Sequence, residues 1–167
     1  QSAAEKTSDE VIAIASMLPL EAIEVPLSAR TRNSVVNSMV GLAARTGLLW
    51  DPEKMAEAVR LRETLHPTAL DNGVALLHPR RPMPTVLAEP VLALGRTSSG
   101  IPFGGPRGML TDIFFLICSI DDRGHLRTLA RLSRLVGDPE FLTALRESAT
   151  PAATRDCFME FESRIPR

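Results

Sequence analysis

The apolar positions of the chain follow two rhythms. Val35, Val36, Met39, Val40 and Ala43 recur every three to four residues, with Arg30, Arg32 and Asn37 off that face. This predicts a helix over 28–47 closed by Gly47. Asp51-Pro52 starts a second helix, with Asp as cap and Pro at the first helical position, and Met55, Val59 and Leu65 carry it onward. Leu126, Leu129, Leu132 and Val136 mark a third, capped by Asp121 or Asp122 and ended by Gly137; this stripe reads as core packing. Asp138-Pro139 and Thr150-Pro151 repeat the cap-then-proline start for two closing helices. Near the N-terminus, Thr7-Ser8-Asp9-Glu10 fits a capping box ahead of a short helix through Val11, Ile12, Ile14, Ala15 and Leu18, stopped at Pro19.

The second rhythm is the short apolar run. Ile23-Glu24-Val25 alternates like a strand, and Pro26 demotes it to an edge or a strand end. Val74–Leu77 and Val91–Leu94 read as buried strands, and Thr111–Cys118 is the strongest strand signal, expected at the sheet's centre. Residues 78–84 form a proline-broken loop. Gly95 to Gly108, with five glycines and two prolines, is expected to be a long exposed loop or hairpin. The sum is an α/β fold: one domain over 1–167, with 1–6 as a frayed tail, built on a mixed, largely central β-sheet of about five strands flanked by helices on both faces.

Composition narrows the function classes. With 167 residues, the chain is long enough for one domain with a well-buried core and short for two. The formal net charge of -1 excludes a large cationic field for nucleic acid or a membrane surface. No apolar stretch reaches the roughly 18 residues of a spanning helix, and no signal-peptide pattern opens the chain. Cys118 and Cys157 have neither disulfide-framework nor metal-type spacing, so reduced thiols in a cytoplasmic setting are expected. The chain opens on Gln1 rather than Met and is therefore read as a piece cut from something longer.

Three histidines carry the candidate chemistry. Taken singly, His66 reads as a helix-end cation or turn residue, His78 as a strand-end residue, and His125 as a member of a helix's first turn. Taken together, His78 and His125 sit where sites collect in open α/β sheets, at strand ends and helix N-termini. One imidazole as nucleophile, a second beside it, and Arg62, Arg80 or Arg81 nearby would make a phosphohistidine site. The competing motifs are weak. The glycine-rich segments lack the Gly-Lys-Ser/Thr ending of a P-loop, and Cys118 with Arg123 falls one residue short of a Cys-x5-Arg phosphatase loop.

The run from Arg62 to His78 resembles the signature of the phosphotransferase-system EIIA domains of type 2, the fructose/mannitol and nitrogen-regulatory kind. Arg62, Glu63, Thr68, Gly73 and His78 match it position by position. A second match follows the strongest strand, where an acidic turn leads into His125, Leu126, Leu129 and Leu132. The resemblance covers nearly all of residues 8–165. It implies that His78 accepts a phosphoryl group from a phosphohistidine carrier protein (HPr- or NPr-like) and passes it to a IIB-type partner. It further implies that His125 orients the reactive ring or steadies its phosphate, that Arg62 and Thr68 line the phosphate pocket, and that Glu63 and Arg80 are accessory. No metal or organic cofactor, no nucleic acid and no membrane insertion are implied. The alternative within the family is a regulatory module, in which phosphorylation of His78 switches binding to a target protein without sugar transport. A zinc site of His66, His78 and His125 is a further, weaker alternative. One departure stands out: Leu77 occupies the place where the family usually has proline, which frees the backbone ahead of His78.

Overall fold

Two long antiparallel strands carry the architecture. The structure, a computed structural model, describes residues 13–166. Strand β1 (Ile23–Glu24) leads to helices α1 (Arg32–Ala44) and α2 (Pro52–Leu65), and then to β2 (Val74–Leu77). β3 (Val91–Pro102) and β4 (Leu110–Cys118) follow, then α3 (Asp122–Val136), α4 (Pro139–Glu147) and α5 (Pro151–Glu162). The sheet order is β1-β3-β4-β2, with β3 and β4 antiparallel and each flanked by a parallel neighbour. The sheet is mixed and has four strands among the described residues, where about five are expected. β4 is central and β1 is an edge, as the pattern predicts.

Both faces of the sheet are covered, so its strands read as continuous apolar runs. Side-chain alternation splits each run between two cores. Along β4, Phe114, Leu116 and Cys118 pack toward α1 and α2, while Ile113, Phe115 and Ile117 pack toward α3, α4 and α5. β2 divides in the same way, with Ala75 and Leu77 on the first side and Val74 and Leu76 on the second. Phe141 and Phe158 meet edge-on at 5.0 Å between ring centroids and lock α4 to α5. On the same side, buried Glu162 accepts from the backbone N–H groups of Ile14 (2.7 Å) and Ala15 (2.9 Å) and from Arg131 Nε (2.8 Å). That carboxylate ties the first described turn, α3 and α5 together.

Several boundaries shift for local reasons. The helix expected over 28–47 starts at Arg32, because Thr31 and Ser34 form a reciprocal capping box. The stretch from Gly95, expected to be a long exposed loop or hairpin, is a hairpin: the outer half of β3 runs to Pro102 and pairs antiparallel with the start of β4. Gly95 and Gly100, within β3, serve close approach rather than turning. A Cβ on Gly95 would lie 2.8 Å from Met39 Sδ, and one on Gly100 would lie 2.6 Å from Leu110 Cβ. Helix α1 thus seats closely over residue 95, where a side chain would have to displace the flexible ends of Met39 and Leu27. The short N-terminal helix is represented by a single 3₁₀ turn at Ala15–Met17, while its capping box and the 1–6 tail lie outside the described residues. Leu126, read as core packing, is 64% exposed, and so is Leu65 at the end of α2. On α2 the buried position one turn after Val59 is taken by Glu63. No helix among the described residues is long and apolar enough to cross a membrane.

Candidate functional site

Two parallel strands end side by side and each delivers a histidine. β2 pairs with β4 in the register Leu77↔Leu116, so residue 78 emerges next to the end of β4. After Cys118 the chain needs only Ser119 and Ile120 to reach Asp121. The Asp121 side chain caps α3 by accepting from the Gly124 N–H at 2.6 Å. His125 therefore falls in the first turn of α3, its own N–H donating to the Asp121 carbonyl at 3.1 Å. The rings of His78 and His125 lie 5.1 Å apart, centroid to centroid, tilted by 45°. Leu77, in the place of the family's proline, completes β2 with a fully buried side chain, so the strand holds its line up to His78.

The hydrogen bonds fix which ring nitrogen is available. His78 Nδ1 lies 2.8 Å from the Leu76 carbonyl oxygen. A carbonyl only accepts, so Nδ1 carries the proton and Nε2 keeps its lone pair. His125 Nδ1 lies 3.2 Å from the Ser119 hydroxyl. Ser119 is buried, and no other partner takes its hydroxyl proton among the described residues. If His125 donated there, that proton would be stranded, at about 1–3 kcal/mol. The Ser119 hydroxyl therefore donates to His125 Nδ1 and places the imidazole proton on Nε2. The pair is complementary, with a lone pair on His78 Nε2 and an N–H on His125 Nε2.

Electrostatics keep both rings neutral. Burial pushes His78 below its ordinary value, with smaller downward contributions from His125 and Arg62, against the Leu76 hydrogen bond that raises it. Burial likewise lowers His125, opposed by the Asp122 carboxylate in the same helical turn. A neutral imidazole with a free lone pair is a nucleophile, and an imidazole N–H beside it can donate to an anionic oxygen.

The other sequence-predicted residues have distinct places. Arg62, half-buried near the end of α2, donates from Nη1 to the His66 carbonyl at 2.7 Å and is close enough to act on His78. Glu63 is buried and holds the following turn, accepting from the Thr68 N–H at 3.2 Å and from the Thr68 hydroxyl. The only proton of the Thr68 hydroxyl is thus directed at Glu63. His66 is exposed, its Nδ1 2.9 Å from the Pro67 carbonyl, and Arg80 and Arg81 are exposed beyond His78. Among the described residues no group of three His, Cys, Asp or Glu side chains could hold a metal ion, so the three-histidine zinc arrangement is not assembled. Sequence reasoning passed over Ser119; the available signal was its position two residues ahead of a helix cap that is followed by a histidine.

This arrangement can be compared with known proteins. Residues 16–160 match the family described as phosphoenolpyruvate-dependent sugar phosphotransferase system, EIIA 2. The chain belongs to this EIIA family. A relative named nitrogen regulatory protein, from Bradyrhizobium diazoefficiens, is 33% identical over 77% of this EIIA chain and 85% of its own length. The fructose-specific EIIABC component of Bacillus subtilis is 26% identical over 86% of the chain, which spans about a fifth (22%) of that longer protein. Among solved structures, the complex of enzyme IIAMTL with phosphorylated enzyme IIBMTL from Escherichia coli contains the same fold. It aligns with a TM-score of 0.74 at 16% identity, covering 86% of this EIIA chain and 99% of the matched one.

Proposed function

We propose that this EIIA chain is a protein-histidine phosphotransferase component acting in the cytoplasm, with His78 Nε2 as the phosphoryl acceptor. The observation that carries this reading is the His78 Nδ1–H bond to the Leu76 carbonyl, which leaves Nε2 as the nucleophile beside a second imidazole. The His78 lone pair forms the new N–P bond as the N–P bond of a phosphohistidine carrier protein breaks, and the carrier's imidazole keeps the electron pair of the broken bond. The His78 ring then carries positive charge, which the Leu76 carbonyl steadies through Nδ1–H. His125 Nε2–H and the Arg62 guanidinium are the donors for the phosphoryl oxygens. Thr68, Glu63 and the His66 carbonyl set the turn that positions Arg62. Arg80 is an accessory cation outside that shell. The phosphoryl group then passes to a IIB-type partner. Incubation with a labelled phosphorylated carrier tests this: wild type takes up acid-labile, base-stable label and His78→Ala takes up none. Label surviving His78→Ala overturns the reading.

A second reading has its own support in the 33% identity to a nitrogen regulatory protein. Here phosphorylation of His78 adds roughly one and a half to two negative charges to an exposed surface and switches affinity for a regulatory target protein, with no sugar moved. Pull-downs with unphosphorylated and phosphorylated chain separate the two. Capture of a IIB protein alone supports transfer, and capture of a non-transport protein in one state only supports regulation.

A further inference from the structure

At the end of the sheet away from His78, β3 and the chain leaving β1 separate. β1 pairs with β3 as far as Gly95, and the Leu27 N–H donates to the Arg96 carbonyl at 2.7 Å. Beyond that bond the segment 26–30 and residues 97–102 line a cleft of about 530 Å³. On the other side of β3 the register with β4 jumps from Arg96↔Ile113 to Ile101↔Thr111. Residues 97–100 therefore bulge out of the ladder, with no paired residue on either neighbouring strand. The Thr97 hydroxyl donates to the Ser99 carbonyl at 2.7 Å and pins the bulge.

The lining of the cleft suits a small molecule. Leu27 and Ile101, both buried, give it an apolar floor, and Ser28, Ser98, Ser99 and Arg30 supply hydroxyls and a single charge. The Arg30 guanidinium and these three hydroxyls have no partner among the described residues, and no carboxylate lines the cleft. An unpaired guanidinium is a seat for a carboxylate or a phosphate. Serine hydroxyls both donate and accept, so they match the hydroxyls of a ligand. The unpaired backbone of the bulge adds further donors and acceptors. The volume falls within the roughly 300–1,000 Å³ of small-ligand sites. An added peptide strand fits poorly, because Pro26 and Pro102 line the cleft without a backbone donor and the bulge breaks the edge.

We propose that this cleft binds a small hydroxylated anion, a sugar phosphate or a sugar acid, with its charge on Arg30 and its hydroxyls on Ser28, Ser98 and Ser99. The site is separate from the phosphoryl chemistry. His78 emerges beside the C-terminal end of β4, whereas residues 97–102 lie beside its start. A ligand in the cleft thus leaves the two histidines open.

Proton–nitrogen correlation spectra of the labelled chain, titrated with glucose 6-phosphate and separately with gluconate, test this. At least one of the two is expected to shift the amide signals of Arg30 and of residues 97–100 saturably, with a Kd below about 10 mM. Whichever saturates first identifies the anion as phosphate or carboxylate. Glucose, which lacks the charge, and inorganic phosphate, which lacks the carbon-borne hydroxyls, should each bind about tenfold more weakly. Arg30→Gln and, independently, a Ser98→Ala, Ser99→Ala double variant should each weaken binding by about tenfold, with phosphoryl acceptance by His78 within about twofold of wild type. No saturation by either compound, or shifts centred on His78 and His125, overturns the site. Unchanged affinity in Arg30→Gln overturns the seat of the anion, and inorganic phosphate binding as tightly as glucose 6-phosphate overturns the hydroxylated ligand.

Discussion

The Ser119 hydroxyl lies 3.2 Å from His125 Nδ1 and determines which nitrogen of that ring bears the proton. Ser119→Ala removes the donor without adding bulk, and His125 then divides between its two tautomers. In nitrogen-15 spectra of histidine-labelled protein, wild-type His125 is expected as the Nε2–H form, with mixed tautomers in the variant. Transfer to His78 should slow by about tenfold, since loss of one transition-state donor costs up to 10²–10³ and the variant keeps a fraction in the right form. An unchanged tautomer with slowed transfer would point to a disturbed fold instead.

The two histidines also set a pH dependence. Both are held below the ordinary value of 6.5, so as pH falls the unfolded chain protonates first and binds more protons than the folded one. Stability is therefore fully present above about pH 6.5 and is lost as pH drops through the lower folded-state values. Urea midpoints at pH 7.5 and 5.5 should differ in wild type and differ less in a His78→Gln, His125→Gln double variant. For the same reason, the rate of phosphoryl acceptance should begin to fall at a lower pH than an unperturbed histidine would allow.

The clamp between Glu63 and Thr68 predicts a coupled loss of stability and transfer. Thr68→Val keeps the shape but leaves the buried Glu63 carboxylate with only the Thr68 backbone N–H, which should cost about 1–3 kcal/mol. The turn that presents the His66 carbonyl to Arg62 loosens with it, so kcat for transfer should fall under conditions where circular dichroism shows the variant folded. Wild-type kcat in a destabilised but folded Thr68→Val would separate the clamp from the site.

On the far side of the sheet, Glu162→Ala strands two backbone N–H groups and Arg131. Removing one partner from such a buried network costs about 3–5 kcal/mol. Its denaturation midpoint should drop sharply, while phosphoryl acceptance by the folded fraction remains at wild-type level.

Much of this was legible in the sequence wherever a local rule decided the outcome. Asp51-Pro52, Asp138-Pro139 and Thr150-Pro151 each start a helix where the cap-then-proline pattern puts it, because side-chain capping and a fixed proline φ act within one turn. The placement of His78 and His125 at strand and helix ends followed from the same local reading. What the pattern could not show was set by contacts distant in sequence. Gly95 belongs to a strand because it pairs with Phe114 on one side and Glu24 on the other. Leu126 is exposed although it shares the apolar stripe of α3, and Ser119 matters only once its chain turn brings its hydroxyl to His125.

The central claim is that His78 Nε2 is the phosphoryl acceptor. Histidine-labelled protein phosphorylated by its carrier, read by long-range proton–nitrogen correlation with phosphorus coupling, tests it most directly. The account predicts a single new phosphoimidazole, on His78, with phosphorus coupled to Nε2 and the proton retained on Nδ1. A phosphoryl group on His78 Nδ1, or on His125 or His66, would contradict it.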